Sequence, residues 1–174
     1  MNRIAVFFAC SAGAFLAVPA HADLDIRFVE GAPKDSFEIV NSGGCPTGPV
    51  VVVVDLTETA GKLIFDTTET GAGVEVYQPF ELVRGQDIVD AATIPTDGAR
   101  SVTLTFSTIA PKQSAKFTID VDDTLTFSDL GQIRVSGAEI EGGRVAVSVD
   151  GAPERLGFFD GTGRASVPLA TCTS

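Results

Sequence analysis

The sequence predicts an all-β protein, and three observations carry that expectation. Apolar residues fall at every second position through most of the chain, Gly- and Pro-rich clusters separate these runs at short intervals, and no segment of ten or more residues shows the three-and-four spacing of a helix. Leu24, Ile26 and Phe28 alternate with Asp25 and Arg27, and Phe37 and Ile39 bracket Glu38. The cluster 41–46 (Asn-Ser-Gly-Gly-Cys-Pro) reads as a connection, and the continuous run Val50 to Val54 as a central strand buried on both faces. Gly71-Ala72-Gly73 reads as a turn before Val74-Glu75-Val76, and Asp87 to Ala92 as at most one helical turn. Val102, Leu104 and Phe106 face one way and Ser101, Thr103, Thr105 and Ser107 the other. Ala110-Pro111-Lys112 then turns the chain into Phe117, Ile119 and Val121, alternating with Thr118, Asp120 and Asp122. Near the C-terminus, Ile133 and Val135 lead through Gly137 to Ile140, and Glu141-Gly142-Gly143 turns into Val145, Val147 and Val149. That spelling predicts a hairpin with a tight Gly-Gly turn, and the change of parity before Ile140 places a bulge at Gly137. Short strands at this spacing predict a single antiparallel β-sandwich, immunoglobulin-like in type.

The first 22 residues have the pattern of a cleavable secretory signal. Arg3 supplies the positive start, Ile4 to Val18 the apolar stretch, and Ala20-His21-Ala22 small residues flanking a cleavage position. The apolar stretch ends at Pro19, short of the about 20 residues that span a bilayer. Cys10 follows Phe7-Phe8-Ala9, a poor match to a lipidation motif. The expected organisation is therefore a signal peptide over 1–22, one domain over 23–174, and export to the periplasm, cell surface or extracellular space, with no integral membrane segment in the mature chain.

Removing the signal takes away the single His and the single Met. It also removes one basic side chain, Arg3, leaving 11 basic against 23 acidic and a formal charge of −12 where the full chain has −11. Nucleic acid and anionic lipid are poor partners for such a surface. Cys45 and Cys172 remain, and an oxidising compartment would pair them; closing so long a loop contributes about 4–5 kcal/mol in the chain-entropy model. The rival role, free thiols in redox or metal chemistry, lacks both C-x-x-C spacing and a histidine.

A mature chain without histidine has no Ser-His-Asp or Cys-His nucleophile and no histidine-ligated zinc centre. Acid–base chemistry would fall to carboxylates, Lys or Tyr77. Leu63-Ile64-Phe65-Asp66-Thr67-Thr68 resembles the apolar-apolar-Asp-Thr-Gly signature of aspartic proteases, but Thr68 stands where the glycine belongs. Phe158-Phe159-Asp160-Gly161-Thr162-Gly163 has Gly and Thr exchanged, so the second carboxylate of a dyad is not supplied by a matching copy. The other constellation is Asp120, Asp122 and Asp123. On a strand Asp120 and Asp122 share the solvent face, while Asp123 begins a turn. Calcium takes several oxygen ligands, and these three carboxylates are its candidate site, with Asp160 or Asp129 as further, unplaced ligands. The spacing is not that of an EF-hand. The competing reading is a solvated strand edge that discourages aggregation.

Four segments together resemble small exported alphaproteobacterial proteins of the aggregation factor core family: 23–30 (DLDIRFVE), 63–68 (LIFDTT), 71–83 (GAGVEVYQPFELV) and 117–124 (FTIDVDDT). The resemblance covers nearly the whole mature chain. It implies a cell-surface or extracellular adhesion role with calcium dependence, and no catalytic residues. The segment 37–43 (FEIVNSG) also resembles a strand and turn of immunoglobulin-like bacterial surface modules. The functional expectation is a non-enzymatic binding or adhesion module that touches protein or glycan at a cell surface, or another copy of itself. The alternative is an extracellular hydrolase working through Asp66 and Asp160.

Overall fold

A computed structural model describes residues 21–74, 76–127, 131–132 and 134–171. Residues 1–20 of the predicted signal peptide lie outside the described residues, as do Asp129 and Ile133. The elements are β1 (His21–Val29), β2 (Asp35–Asn41), β3 (Val50–Asp55), β4 (Ile64–Asp66), β5 (Glu81–Arg84), β6 (Val89–Thr93), β7 (Ser101–Phe106), β8 (Ser114–Asp122), α1 (Gly137–Ile140), β9 (Arg144–Val149), β10 (Arg155–Phe158) and β11 (Arg164–Thr171).

They form two antiparallel sheets, one curled into a half-barrel, in a sandwich-like arrangement. The first runs β11-β1-β2-β8-β4, with β5 also pairing with β8; the second runs β10-β9-β3-β7-β6. Alternation decides what each strand buries. Ile26, Phe28, Phe37, Ile39, Phe117 and Ile119 face inward from the first sheet and meet Val52, Val54, Leu104, Phe106, Val145 and Val147 from the second. Pro168 lacks an N–H and sits in β11, at the edge of its sheet, where a missing donor costs least. No helix among the described residues is long and apolar enough to cross a membrane.

The Val50–Val54 strand is central, between β9 and β7, but Val51 and Val53 are only half-buried, so it alternates like its neighbours. Two expectations need correcting. The C-terminal hairpin does not form: Gly137 is not a bulge but opens α1, and β9 pairs with β3 and β10. The reason is a capping box. Ser136 Oγ accepts from Glu139 N at 3.3 Å while Glu139 Oε2 accepts from Ser136 N at 2.6 Å, satisfying two N–H groups that a strand would have left to a partner. Residues 89–92 of the segment read as a helical turn belong instead to β6, because pairing with β7 outweighs a weak local preference. The expected Cys45–Cys172 bridge falls outside what is described: no Sγ–Sγ pair at bonding distance is present among the described residues, and Cys172 lies outside them. Cys45 is not a free thiol, and it packs partly buried against the core. The C-terminal strand β11 is held along β1 by an antiparallel ladder.

The β2–β3 connection is held by Asn41, which is fully buried. Its Nδ2 donates to the carbonyls of Cys45 and Ile109, both at 2.8 Å, and its Oδ1 accepts from Gly43 N at 3.0 Å. Asn41→Ala leaves these groups unpaired out of water and is expected to lower the unfolding free energy by about 1–3 kcal/mol, read as a fall in urea midpoint at unchanged slope.

Candidate metal centre

The short strand β4 places the centre. Asp66 lies directly opposite Asp120 in the β4–β8 ladder, and Ile64 opposite Asp122. Residues opposite one another share a face, as do residues two apart, so Asp66, Asp120 and Asp122 converge on one side of the sheet. Phe65 and Val121 point the other way, into the core. Each of the three aspartates offers a carboxylate oxygen, and these atoms all lie within 4.8 Å of one another. That is the reach of a single ion: two oxygens bound at about 2.4 Å are at most about 4.8 Å apart.

The expected solvent face is covered. Asp66, Asp120 and Asp122 are 0 %, 3 % and 1 % exposed, which overturns the reading of a solvated edge. Gly73, Val74 and Gln78 lie against that face. Gly73 lies so close that a Cβ there would collide with the Asp66 carboxylate and stand 2.6 Å from Asp122 Oδ2. The Gly-Ala-Gly spelling thus serves close approach to carboxylates as well as a turn. Gln78 joins the two strands from above, its N–H donating to Asp66 O at 3.3 Å and its carbonyl accepting from Asp120 N at 3.1 Å.

Most of the carboxylate oxygens meet no N–H or hydroxyl donor among the described residues. Both oxygens of Asp66, Asp120 Oδ2 and Asp122 Oδ1 are buried and unpaired, while Asp122 Oδ2 accepts from Val74 N at 2.8 Å. Leaving several carboxylate oxygens dry and unpaired is costly unless a proton or a cation answers them. Burial, then the neighbouring Asp97 and Asp122, push Asp66 up to about 7; burial, then Asp122 and Asp66, push Asp120 up to about 7. Asp122 is raised as well, chiefly by burial. Asp35 completes the acidic end of the sheet: burial raises it to about 8 despite donors from Gly31 N and Val121 N at 3.1 and 3.0 Å.

Of the residues singled out in the sequence, Asp120 and Asp122 belong to this group. Asp123 stands beside it; its Oδ1 accepts from Leu125 N at 2.9 Å and its buried Oδ2 is unpaired. Asp66, singled out for another chemistry, is the third member. Asp160 is not. It is exposed in the β10–β11 turn, where Oδ1 takes the N–H groups of Thr162 and Arg164 and the Thr162 hydroxyl. It borders a surface depression of about 420 Å³ that also includes Asp25, Arg27, Glu38 and Arg164. Sequence reasoning missed Asp97, whose Oδ1 accepts from Thr67 N and Thr68 N at 2.9 and 3.2 Å and whose Oδ2 accepts from Ala72 N at 2.7 Å. Burial works against its charge, but these donors outweigh it and hold the Asp97 carboxyl below its usual value. Its Asp-Gly turn was the one local signal.

Fold and site together define an all-β protein with a buried tri-aspartate cluster capable of coordinating a metal ion. Compared with protein-family models, curated proteins and solved structures, the chain matches none.

Proposed function

We propose that this is an exported, non-enzymatic binding module that takes a calcium ion at Asp66, Asp120 and Asp122 and makes contacts at a cell surface, to protein or glycan or to another copy of itself. The observation that carries the calcium reading is the set of buried carboxylate oxygens without an N–H or hydroxyl donor among the described residues, gathered within the span of one ion. All donors are hard oxygens, with no imidazole or thiolate in the group, which suits calcium or magnesium rather than zinc. Calcium accepts irregular, oxygen-rich shells that backbone carbonyls and water complete, whereas magnesium demands a near-octahedral one. The adhesive role rests on the expected export, the acidic sandwich and the resemblance to aggregation factor core proteins. We read the sandwich as immunoglobulin-like, since the chain passes repeatedly between the sheets, at β2–β3, β3–β4, β5–β6, β7–β8, β8–β9 and β10–β11, as Greek-key sandwiches do.

The test is calcium titration into chelator-stripped protein, with thermal melts of the wild type and of the Asp120→Asn/Asp122→Asn double variant. Micromolar-to-millimolar binding is expected, with a stabilisation of about 2.7 kcal/mol at a hundredfold excess over Kd that the double variant lacks. No heat and no shift in melting temperature would mean that protons alone settle the cluster, and the calcium reading would fall. Calcium-dependent self-association or cell binding, compared with and without chelator, tests the adhesive part.

A further inference from the structure

We propose that the segment Thr67–Val74 is a closing loop over the cation, held shut by Asp97 as a latch, so that ion binding at Asp66, Asp120 and Asp122 fixes the β4 edge of the first sheet. This rests on the calcium reading of the cluster and adds a positioning residue and a conformational role to it.

Asp97 is not built as a ligand. Its two oxygens are taken by three loop N–H groups, those of Thr67, Thr68 and Ala72, and a fourth, that of Val74, goes to Asp122. Asp97 is itself tied to β4, because Gly98 N donates to Phe65 O and Phe65 N to Ala99 O, both at 2.9 Å. The latch and the ion-holding strand therefore share one backbone frame. Gly71 and Gly73 let the loop lie flat: a Cβ at Gly71 would collide with the Asp97 carboxylate, and one at Gly73 with Asp66.

Closure has an electrostatic cost. It brings the Asp97 carboxylate against Asp66, in a place where Asp66 already faces Asp120 and Asp122 and no N–H or hydroxyl of the described residues answers its oxygens. A divalent cation removes that cost in the closed state and gives much less benefit in the open one, where water reaches the carboxylates. An ion with such differential affinity shifts the loop toward closure. Gln78, hydrogen-bonded to both Asp66 and Asp120, carries the effect to the segment leading into β5.

The experiment is amide hydrogen exchange of the full mature chain, with calcium and with chelator, beside a calcium titration of each sample. In the wild type, calcium is expected to slow exchange over 67–74 at least tenfold while the core strands β2 and β3 stay as they are. Asp97→Asn keeps the three aspartates of the cluster but loses an acceptor; it is expected to bind calcium more weakly and to leave 67–74 unprotected with calcium bound. If the wild type binds calcium and 67–74 exchanges at the same rate with and without it, the latch is wrong and the calcium site stands. If calcium does not bind, both fall. The wild-type comparison decides the matter even if the variant fails to fold.

Discussion

Chelator-stripped protein is expected to lose stability as the pH rises from about 4 to about 8, and calcium is expected to return the part that belongs to Asp66, Asp120 and Asp122. Burial raises the Asp35 carboxyl to about 8 and, with the neighbouring acids, Asp66 and Asp120 to about 7, all from an ordinary 3.8. Between those values the folded chain holds protons that the unfolded chain has released, so unfolding becomes easier with every rise in pH; below about 4 both states are protonated and the difference vanishes. One unit of pKa difference corresponds to about 1.4 kcal/mol. The cluster acids share their protons, which shrinks the sum, and a loss on the order of 5 kcal/mol is left. That is a large part of the about 5–15 kcal/mol that holds a domain folded. Asp55 and Asp97, whose donors keep them below 3.8, act in the opposite sense and only on the acid side, so the optimum falls near pH 4–5 by the same linkage. Urea unfolding in chelator, near pH 5 and near pH 8, is the measurement. Higher stability at the alkaline end would mean that these acids are ionised and hydrated in the folded chain, and the buried cluster would lose its energetic meaning.

The residues that made the fold legible are those whose neighbours in space are also neighbours in sequence. Phe117, Ile119 and Val121 alternate with polar residues, and that alone gives β8 and its faces. The same alternation puts Asp120 and Asp122 together. What a two-residue period cannot say is whether the polar face stays wet. That depends on Asp66, which reaches Asp120 only through a three-residue strand far away in the chain, and on a glycine loop that leaves room to lie over both. Asp66 was visible as an unusual acid at a strand end, but its local spelling pointed to a catalytic dyad, and the second carboxylate of that dyad sits in its own turn at Asp160. Ser136 and Glu139 show the opposite failure. Their capping box was present in the sequence, yet flanking β-branched residues made the segment read as a strand. Pairing between strands, and the choice of sheet at each crossing, are set by tertiary packing and leave little local trace.

Phe37→Ala is expected to cost about 3–5 kcal/mol, whatever the metal content. The side chain is fully buried, stacked on Phe117 at 5.0 Å and tilted against Phe28 at 5.1 Å, with Phe65 and Phe159 meeting it edge-on at 6.3 and 6.2 Å. Those rings come from β1, β4, β8 and the residue after β10, so one side chain ties three strands of the first sheet to the connection that leaves the second. Truncation removes its own burial and the edge and stacking contacts of four rings, and a sandwich held at both sheets closes little of the space left behind. Phe37→Leu, which keeps most of the volume, should cost well under half as much. The damage should also reach the metal centre. Phe37 lies opposite Phe117 in the β2–β8 ladder, and two residues earlier Asp35 Oδ2 accepts from Val121 N, between Asp120 and Asp122. Loosening that ladder frees the strand that carries two of the three carboxylates, so Phe37→Ala should weaken calcium binding while Phe37→Leu leaves it near the wild-type value. Urea unfolding and calcium titration of the two variants separate these effects: a cost below about 1 kcal/mol for the alanine would mean that the ring cluster repacks and is not the centre of the core.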